Sequence, residues 1–216
     1  MIRRSLYFFV PAAVFITACA APSLIMEKKE LHLFINSFHH PVSDIFFKLL
    51  THAGSGFFVI CCGLLLLLIH RVRTGIMIIV SYSLSGIIVQ LLKRLVFSDI
   101  ARPAKLLYGM DLHQVNGVKT LCCYSFPSGH AASAFALFTA IAITTHSRAL
   151  QLTCFFCAAA IAFSRVYLSQ HFLIDITAGA AAGCIITVFT DFLLRAKKPW
   201  MDKPLIQLIN PKRNAQ

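Results

Sequence analysis

Two histidines, one carboxylate and a set of cations could do chemistry in this chain. His171 and Asp175 stand four apart in "HFLID", so on a helix they share a face. A carboxylate there can take the proton on one imidazole nitrogen and leave the other free as a nucleophile. His130 closes "PSGH", behind Ser128 and Gly129. An imidazole at the start of a helix can give a proton to a leaving oxygen and later draw one from water. Ser128 can cap that helix, and Gly129 lets the backbone approach a ligand closely. Lys93 and Arg102 come from "LLKRLVFSDIARP", and Arg165 from "SRVYLSQH". Arginine offers a planar fork matched to phosphate oxygens, and lysine a point charge. Cations beside helix N-terminal amides form an oxyanion trap. The chemistry this set can perform is phosphoryl transfer. One imidazole attacks phosphorus, the other handles the leaving group, and the cations stabilise the equatorial oxygens. Lysine and arginine do the neutralising, so the expectation is no metal and no cofactor.

These residues can meet only if the elements carrying them end on one side. The chain has 216 residues, 58% hydrophobic and 13% charged. That balance is wrong for an ordinary soluble domain and right for a polytopic membrane protein. Six apolar runs stand at about 5–26, 52–70, 74–96, 128–146, 149–168 and 171–194. Each is near the roughly 20 residues a helix needs to cross hydrocarbon. No period-two alternation argues for a barrel, and backbone in lipid must satisfy itself within a helix. The expected fold is therefore an all-α, six-transmembrane-helix bundle in one domain, 1–196, with a basic cytoplasmic tail, 197–216. The net charge of +12 suits membrane topology better than nucleic acid.

Alternating direction puts the end of the third run, the start of the fourth, the end of the fifth and the start of the sixth on one face. All the candidate residues fall there. Arg3, Arg4, Arg71, Arg73, Arg148, Arg195, Lys197, Lys198, Lys203, Lys212 and Arg213 fall on the other face. The positive-inside rule makes that side cytoplasmic, with both termini there and the candidate site outside. The first run begins like a signal peptide, and "ITAC" resembles a lipoprotein box ending at Cys19. Its apolar character continues to Met26, so an uncleaved helix is expected.

Residues 27–51 form an interfacial N-terminal segment, with His32, His39 and His40 read as interfacial polar residues. The loop 97–126 lies outside, and a loop this long is functional more often than idle. Of eight cysteines, Cys122 and Cys123 fall in that loop, while Cys154 and Cys157 act as small apolar residues within a span. Ala178, Gly179, Ala182 and Gly183 suit close helix contact. Asp191 is expected to be a snorkelling surface acid.

"K…RP", "PSGH" and "SRVYLSQHFLID" resemble the three signature motifs of the type 2 phosphatidic acid phosphatase family, whose core fold is shared with vanadium-dependent haloperoxidases. The second matches Pro127, Ser128, Gly129 and His130. The third matches Ser164, Arg165, His171 and Asp175. The resemblance implies His171 as nucleophile, Asp175 as its partner and His130 as general acid. It implies phosphate binding by Lys93, Arg102, Ser128, Gly129 and Arg165. The family's first motif has six residues between its lysine and Arg-Pro; Lys93 leaves eight and Arg94 seven. Lys93 takes the role in this reading, with Arg94 as the alternative.

The implied activity is lipid phosphate hydrolysis at a bilayer, of class 3.1.3 or 3.6.1, in a bacterial inner membrane with the site facing the periplasm. Substrates in view are a prenyl diphosphate such as undecaprenyl diphosphate, a phosphatidylglycerol phosphate, phosphatidic acid, or a lipid A phosphate. The loop 104–126 is expected to choose among them. A lipid or anion transporter would want the same cations, but it would bring paired discontinuous helices or repeats, which the sequence lacks. A zinc site at His130, His171 and Asp175 fits poorly among so many cations.

Overall fold

The computed structural model describes residues 4–194 and 198–209. The cationic positions Arg3, Arg195, Lys197, Lys212 and Arg213 lie outside the described residues. Among the described residues every regular element is helical. They are α1 (Leu6–Ile25), α2 (Lys28–Asn36), α3 (Pro41–Leu50), α4 (Gly56–Ile69), α5 (Val72–Leu91), α6 (Pro103–Leu106), α7 (Gly129–Thr144), α8 (Arg148–Tyr167), α9 (Leu173–Leu193) and α10 (Leu205–Ile209).

α7 is the central element, packed on α4, α5, α8 and α9. Its alanine-rich sequence makes that possible, because small side chains let four neighbours approach one helix. Gly183 of α9 sits where a Cβ would come within 2.5 Å of the Ala132 carbonyl. A Cβ at Gly179 would collide with the Ser128 carbonyl. The two glycines therefore set the α7–α9 distance, as their spacing predicts. α1 lies outside this core. Only Phe8, Ala12 and Cys19 of its residues are buried, one narrow stripe against α8 and α9.

Four helices are long and apolar enough to cross a membrane: α1, α5 with its extension to Val96, α8 and α9. The α3–α4 pair, bent by 57° at Ser55, makes a fifth if taken as one span. α7 is apolar but has 16 residues, a rise of roughly 24 Å against a hydrocarbon core of about 30 Å. Helices thus stand at all six apolar runs, though not all of them have spanning length. The reason is local. Ser55 and Gly56 start a new helix inside one run, with Ser55 Oγ accepting from the Phe58 amide at 3.3 Å, and α7 is confined between its Ser128 cap and Thr144.

Two expectations about single residues change. Asp191 is buried in α9 and ion-paired to Arg73 at 2.9 Å, so it is an interior partner rather than a snorkelling acid. His32 is buried too, because α2 lays its Leu31, His32 and Asn36 face against the protein and turns Phe34 outward. At the other end, residues 198–209 fold back on the bundle. Met201 is buried, and the Lys203 carbonyl accepts from the Val72 amide at 3.1 Å.

Candidate active site

The site is assembled where α5, α7, α8 and α9 end together. α5 does not stop cleanly; it widens into a π-helical turn over Leu92–Val96. Such turns shift the facing of successive side chains and recur at functional sites. Here the turn buries Lys93 and leaves its neighbour Arg94 exposed. The chain then crosses to Arg102, whose buried guanidinium is fixed by three backbone carbonyls. Nε donates to Cys123 (2.8 Å), Nη1 to Gln170 (2.8 Å) and Nη2 to Tyr124 (3.3 Å). Burial lowers the Arg102 pKa from its ordinary value, and the charge of Asp175 opposes that shift. Pro103 occupies the first turn of α6, where its fixed φ fits and its missing N–H is not needed.

Ser128 caps α7, its Oγ accepting from the Ala131 amide at 3.4 Å, and its own amide donates to the Asp175 carbonyl at 2.9 Å. The "PSGH" start is therefore bonded to the first turn of α9. Gly129 comes next, followed by His130, which packs over Gly54; a Cβ there would approach the His130 ring to 3.3 Å. Arg165, near the end of α8, is buried and donates from Nη1 to Thr51 Oγ1 at 2.6 Å. Its Nε is buried with no partner within the protein, which leaves a donor for an incoming oxygen.

His171 sits in the turn between α8 and α9 and is 2% exposed. Its Nδ1 is 3.3 Å from Asp175 Oδ2, and its Nε2 is 3.3 Å from Arg102 Nη1. That same carboxylate oxygen accepts from Ser125 Oγ at 2.5 Å and from the Phe172 amide at 3.0 Å. Asp175 is thus oriented from two sides before it touches the imidazole. Lys93, Arg102, Arg165, His130 and His171 lie within electrostatic range of one another. All eight residues singled out in the sequence stand at this end of the bundle.

Several partners were not legible in the sequence. Ser125 lies 50 positions from Asp175 and Thr51 lies 114 from Arg165. The one hint was position, since Ser125 stands three residues before Ser128 in "YSFPSGH". Gln170 has no signal in the sequence; its side chain donates to the Lys119 carbonyl at 3.2 Å and joins the outer loop to the turn. Among the described residues no group of three or more histidine, cysteine or acidic side chains could hold a metal ion. All eight cysteines are free thiols.

Two cavities meet at the site. One, about 650 Å³, is lined by Lys93, Arg94, Arg102 and residues 121–124 of the outer loop. The other, about 750 Å³, runs along α5 past Tyr82, Gly86 and Ile87 and ends at Gly129 and His130. Gln90 and Arg94 line both.

Comparison with known proteins agrees with this geometry. Residues 74–197 match the model of the PAP2 superfamily, more than half of the chain. The crystal structure of Aquifex aeolicus LpxE is similar, with 30% identity and a TM-score of 0.68 over 76% of this chain and 93% of that one. A transmembrane PAP2-type phosphatidylglycerolphosphate phosphatase from Bacillus subtilis shares the fold, with 18% identity and a TM-score of 0.66 over 92% of this chain and 99% of that one. A comparison with curated proteins gives no match. The motifs, the helical membrane architecture and these likenesses converge: the chain belongs to the PAP2 superfamily, with the fold of its membrane lipid phosphatases.

Proposed function

We propose that this protein hydrolyses the phosphate of a membrane lipid through a phosphohistidine at His171, without a metal ion. The observation that carries the reading is the position of His171: Nδ1 on a carboxylate and Nε2 on a guanidinium, each at 3.3 Å. Asp175 holds the Nδ1 proton, so the Nε2 lone pair faces the place where Arg102 would bind a phosphoryl oxygen. Nε2 attacks phosphorus, and the bond from phosphorus to the leaving oxygen breaks. His130 gives that oxygen a proton. Water then attacks phosphorus as His130 takes one of its protons, the bond from phosphorus to Nε2 breaks and returns its electron pair to His171, and phosphate departs. Lys93, Arg102 and Arg165, with the Ser128 hydroxyl and the Gly129 amide, neutralise the equatorial oxygens.

The two cavities support an assignment of sides. His130 borders the groove along α5, so the leaving group departs into that mostly apolar channel. The lipid is therefore the leaving group, and the phosphoryl group lies toward Lys93 and Arg102. The substrate belongs among prenyl diphosphates such as undecaprenyl diphosphate, phosphatidylglycerol phosphate, phosphatidic acid and lipid A phosphates. The Bacillus subtilis protein that shares the fold is a phosphatidylglycerolphosphate phosphatase, and that lipid is included in the panel. The site faces the outside of a bacterial inner membrane and the termini face the cytoplasm, because the excess of arginine and lysine lies at the opposite end.

Phosphate release by the purified protein from this lipid panel, with a chelator present, tests the reading. Activity that survives the chelator is expected. His171→Ala should lower turnover by at least about 10³-fold, and acid-labile phosphate should be trapped on the wild type but not on this variant. A variant turning over at the wild-type rate would refute the nucleophile assignment.

A further inference from the structure

α2 lies outside the motif-bearing helices, yet it reaches both sides of His171. His32 Nε2 and Ser169 Oγ share a hydrogen bond of 3.1 Å, and Asn36 Nδ2 donates to the same hydroxyl at 3.3 Å. One residue past the nucleophile, the Phe172 ring stands edge to face with His32, centroids 5.3 Å apart. Residues 169 and 172 straddle 171, so α2 grips the turn on both flanks. All three polar partners are buried. Ser169 needs such a grip, because its φ is 52°, a left-handed conformation that costs a residue with a Cβ.

Asn36 does more. Its Nδ2 also donates to the His113 carbonyl at 3.0 Å, and its Oδ1 accepts from the His113 amide at 2.8 Å. That pair closes on the backbone of the outer loop as a strand partner would. A single buried amide therefore bonds to α2's two neighbours at once: the turn that presents the nucleophile and the loop that flanks the cationic cavity. Neither Asn36 nor His32 lines the two cavities at the site.

We propose that Asn36 and His32 are positioning residues: through Ser169 they set the Leu168–Phe172 turn that aims His171, and through His113 Asn36 couples that turn to the outer loop. The kinetic part of this rests on the phosphatase reading above; the structural part does not.

The test uses the full-length protein in detergent and has two arms. In the first, hydrogen–deuterium exchange is followed in peptides covering residues 165–172 and 110–116. Asn36→Ala should raise exchange in both, while Ser169→Gly should raise it in the first alone. Glycine accepts the positive φ without strain but removes the Cβ with the hydroxyl, so Ser169→Ala, which keeps the Cβ and loses the hydroxyl alone, is measured beside it, and loosening common to both reports the lost bond. Unchanged exchange in 165–172 for all three variants would overturn the proposal, whatever the activity.

In the second arm, kcat and KM are measured on whichever lipid phosphate the wild type cleaves. Asn36→Ala and Ser169→Gly should each lower kcat by about 10- to 100-fold, with KM within about 2-fold, since a misaimed nucleophile loses rate without losing affinity. The double variant should lose less than the product of the two single losses, because both remove a bond to one hydroxyl. His32→Gln should recover most of the rate lost in His32→Ala. Loosened exchange with wild-type kcat, or losses that multiply in the double variant, would overturn the positioning role. A wild type inactive on every lipid phosphate would defeat the phosphatase reading instead, and leave the exchange result to decide the clasp.

Discussion

At the scale of single residues, the site depends on how firmly one carboxylate oxygen is held. Asp175 Oδ2 receives Ser125 Oγ, the Phe172 amide and His171 Nδ1. Removing the serine hydroxyl leaves the Phe172 amide as the one anchor of that oxygen besides the imidazole it must orient. Ser125→Ala is therefore expected to slow kcat by about 10-fold with little change in KM, and Asp175→Asn by about 10²- to 10⁴-fold. Equal losses in the two variants would mean that Ser125 acts on something other than Asp175. The His171–Asp175 relation was legible because a spacing of four fixes a shared helical face. Ser125 was not, because its bond depends on where a loop passes 50 residues upstream.

His32 shows the same limit from the other direction. On an amphipathic segment a lone histidine reads as interfacial, and only packing against the α8–α9 turn buries it. Burial pulls its pKa from 6.5 down to about 4, against the opposing charge of Asp175. The unfolded chain takes up a proton below about 6.5 that the folded protein refuses, so His32 costs stability as pH falls from about 6.5 to about 4. The slope is at most about 1.4 kcal/mol per pH unit. Thermal midpoints of His32→Gln should fall less steeply than those of the wild type across that window. Parallel curves would show that His32 is not buried in solution.

At the scale of elements, helix ends rather than helix bodies decide what the site contains. The sequence left Lys93 and Arg94 as rivals, since a count of intervening residues cannot show which way a helix end faces. The π-helical turn over Leu92–Val96 separates them by burying Lys93 and exposing Arg94. Lys93→Ala should cost about 10²-fold or more in kcat/KM, as expected for a cation lost from a phosphoryl cage. Arg94→Ala should act mainly on KM, because Arg94 stands at the junction of the two cavities. The reverse order of severity would assign the first-motif role to Arg94. The helix contact was easier to foresee: Gly179 and Gly183 stand four apart and face α7 as their spacing suggests. Gly183→Val should lower stability by about 1–3 kcal/mol, since a side chain there meets the Ala132 carbonyl and the Phe135 Cβ.

At the scale of the whole molecule, the two cavities give the site a direction. Six apolar runs could not reveal them, because hydropathy marks which residues avoid water and not which helices stand apart. Gly86 of α5 lines the groove together with Gly54 and Gly56, which flank the bend at Ser55. Nothing lies within 4 Å of a Cβ built at Gly86, so the position opens on free space rather than on a packed neighbour. A large side chain can be added there without displacing the core, which makes it a clean probe of what the groove holds. If a lipid chain lies along α5, Gly86→Phe should raise KM for long-chain lipid phosphates by about 10-fold or more. One aromatic side chain forfeits a few buried methylenes at about 0.8 kcal/mol each. A short-chain, water-soluble phosphate ester reaches the cationic cavity without using the groove, so its kcat/KM should stay within about 2-fold of the wild type. Equal loss on both substrates would place the obstruction at the phosphoryl cage itself. No loss on either would place the chain elsewhere, in the bilayer beside the outer loop, and the assignment of His130 to the leaving-group side would lose its geometric support.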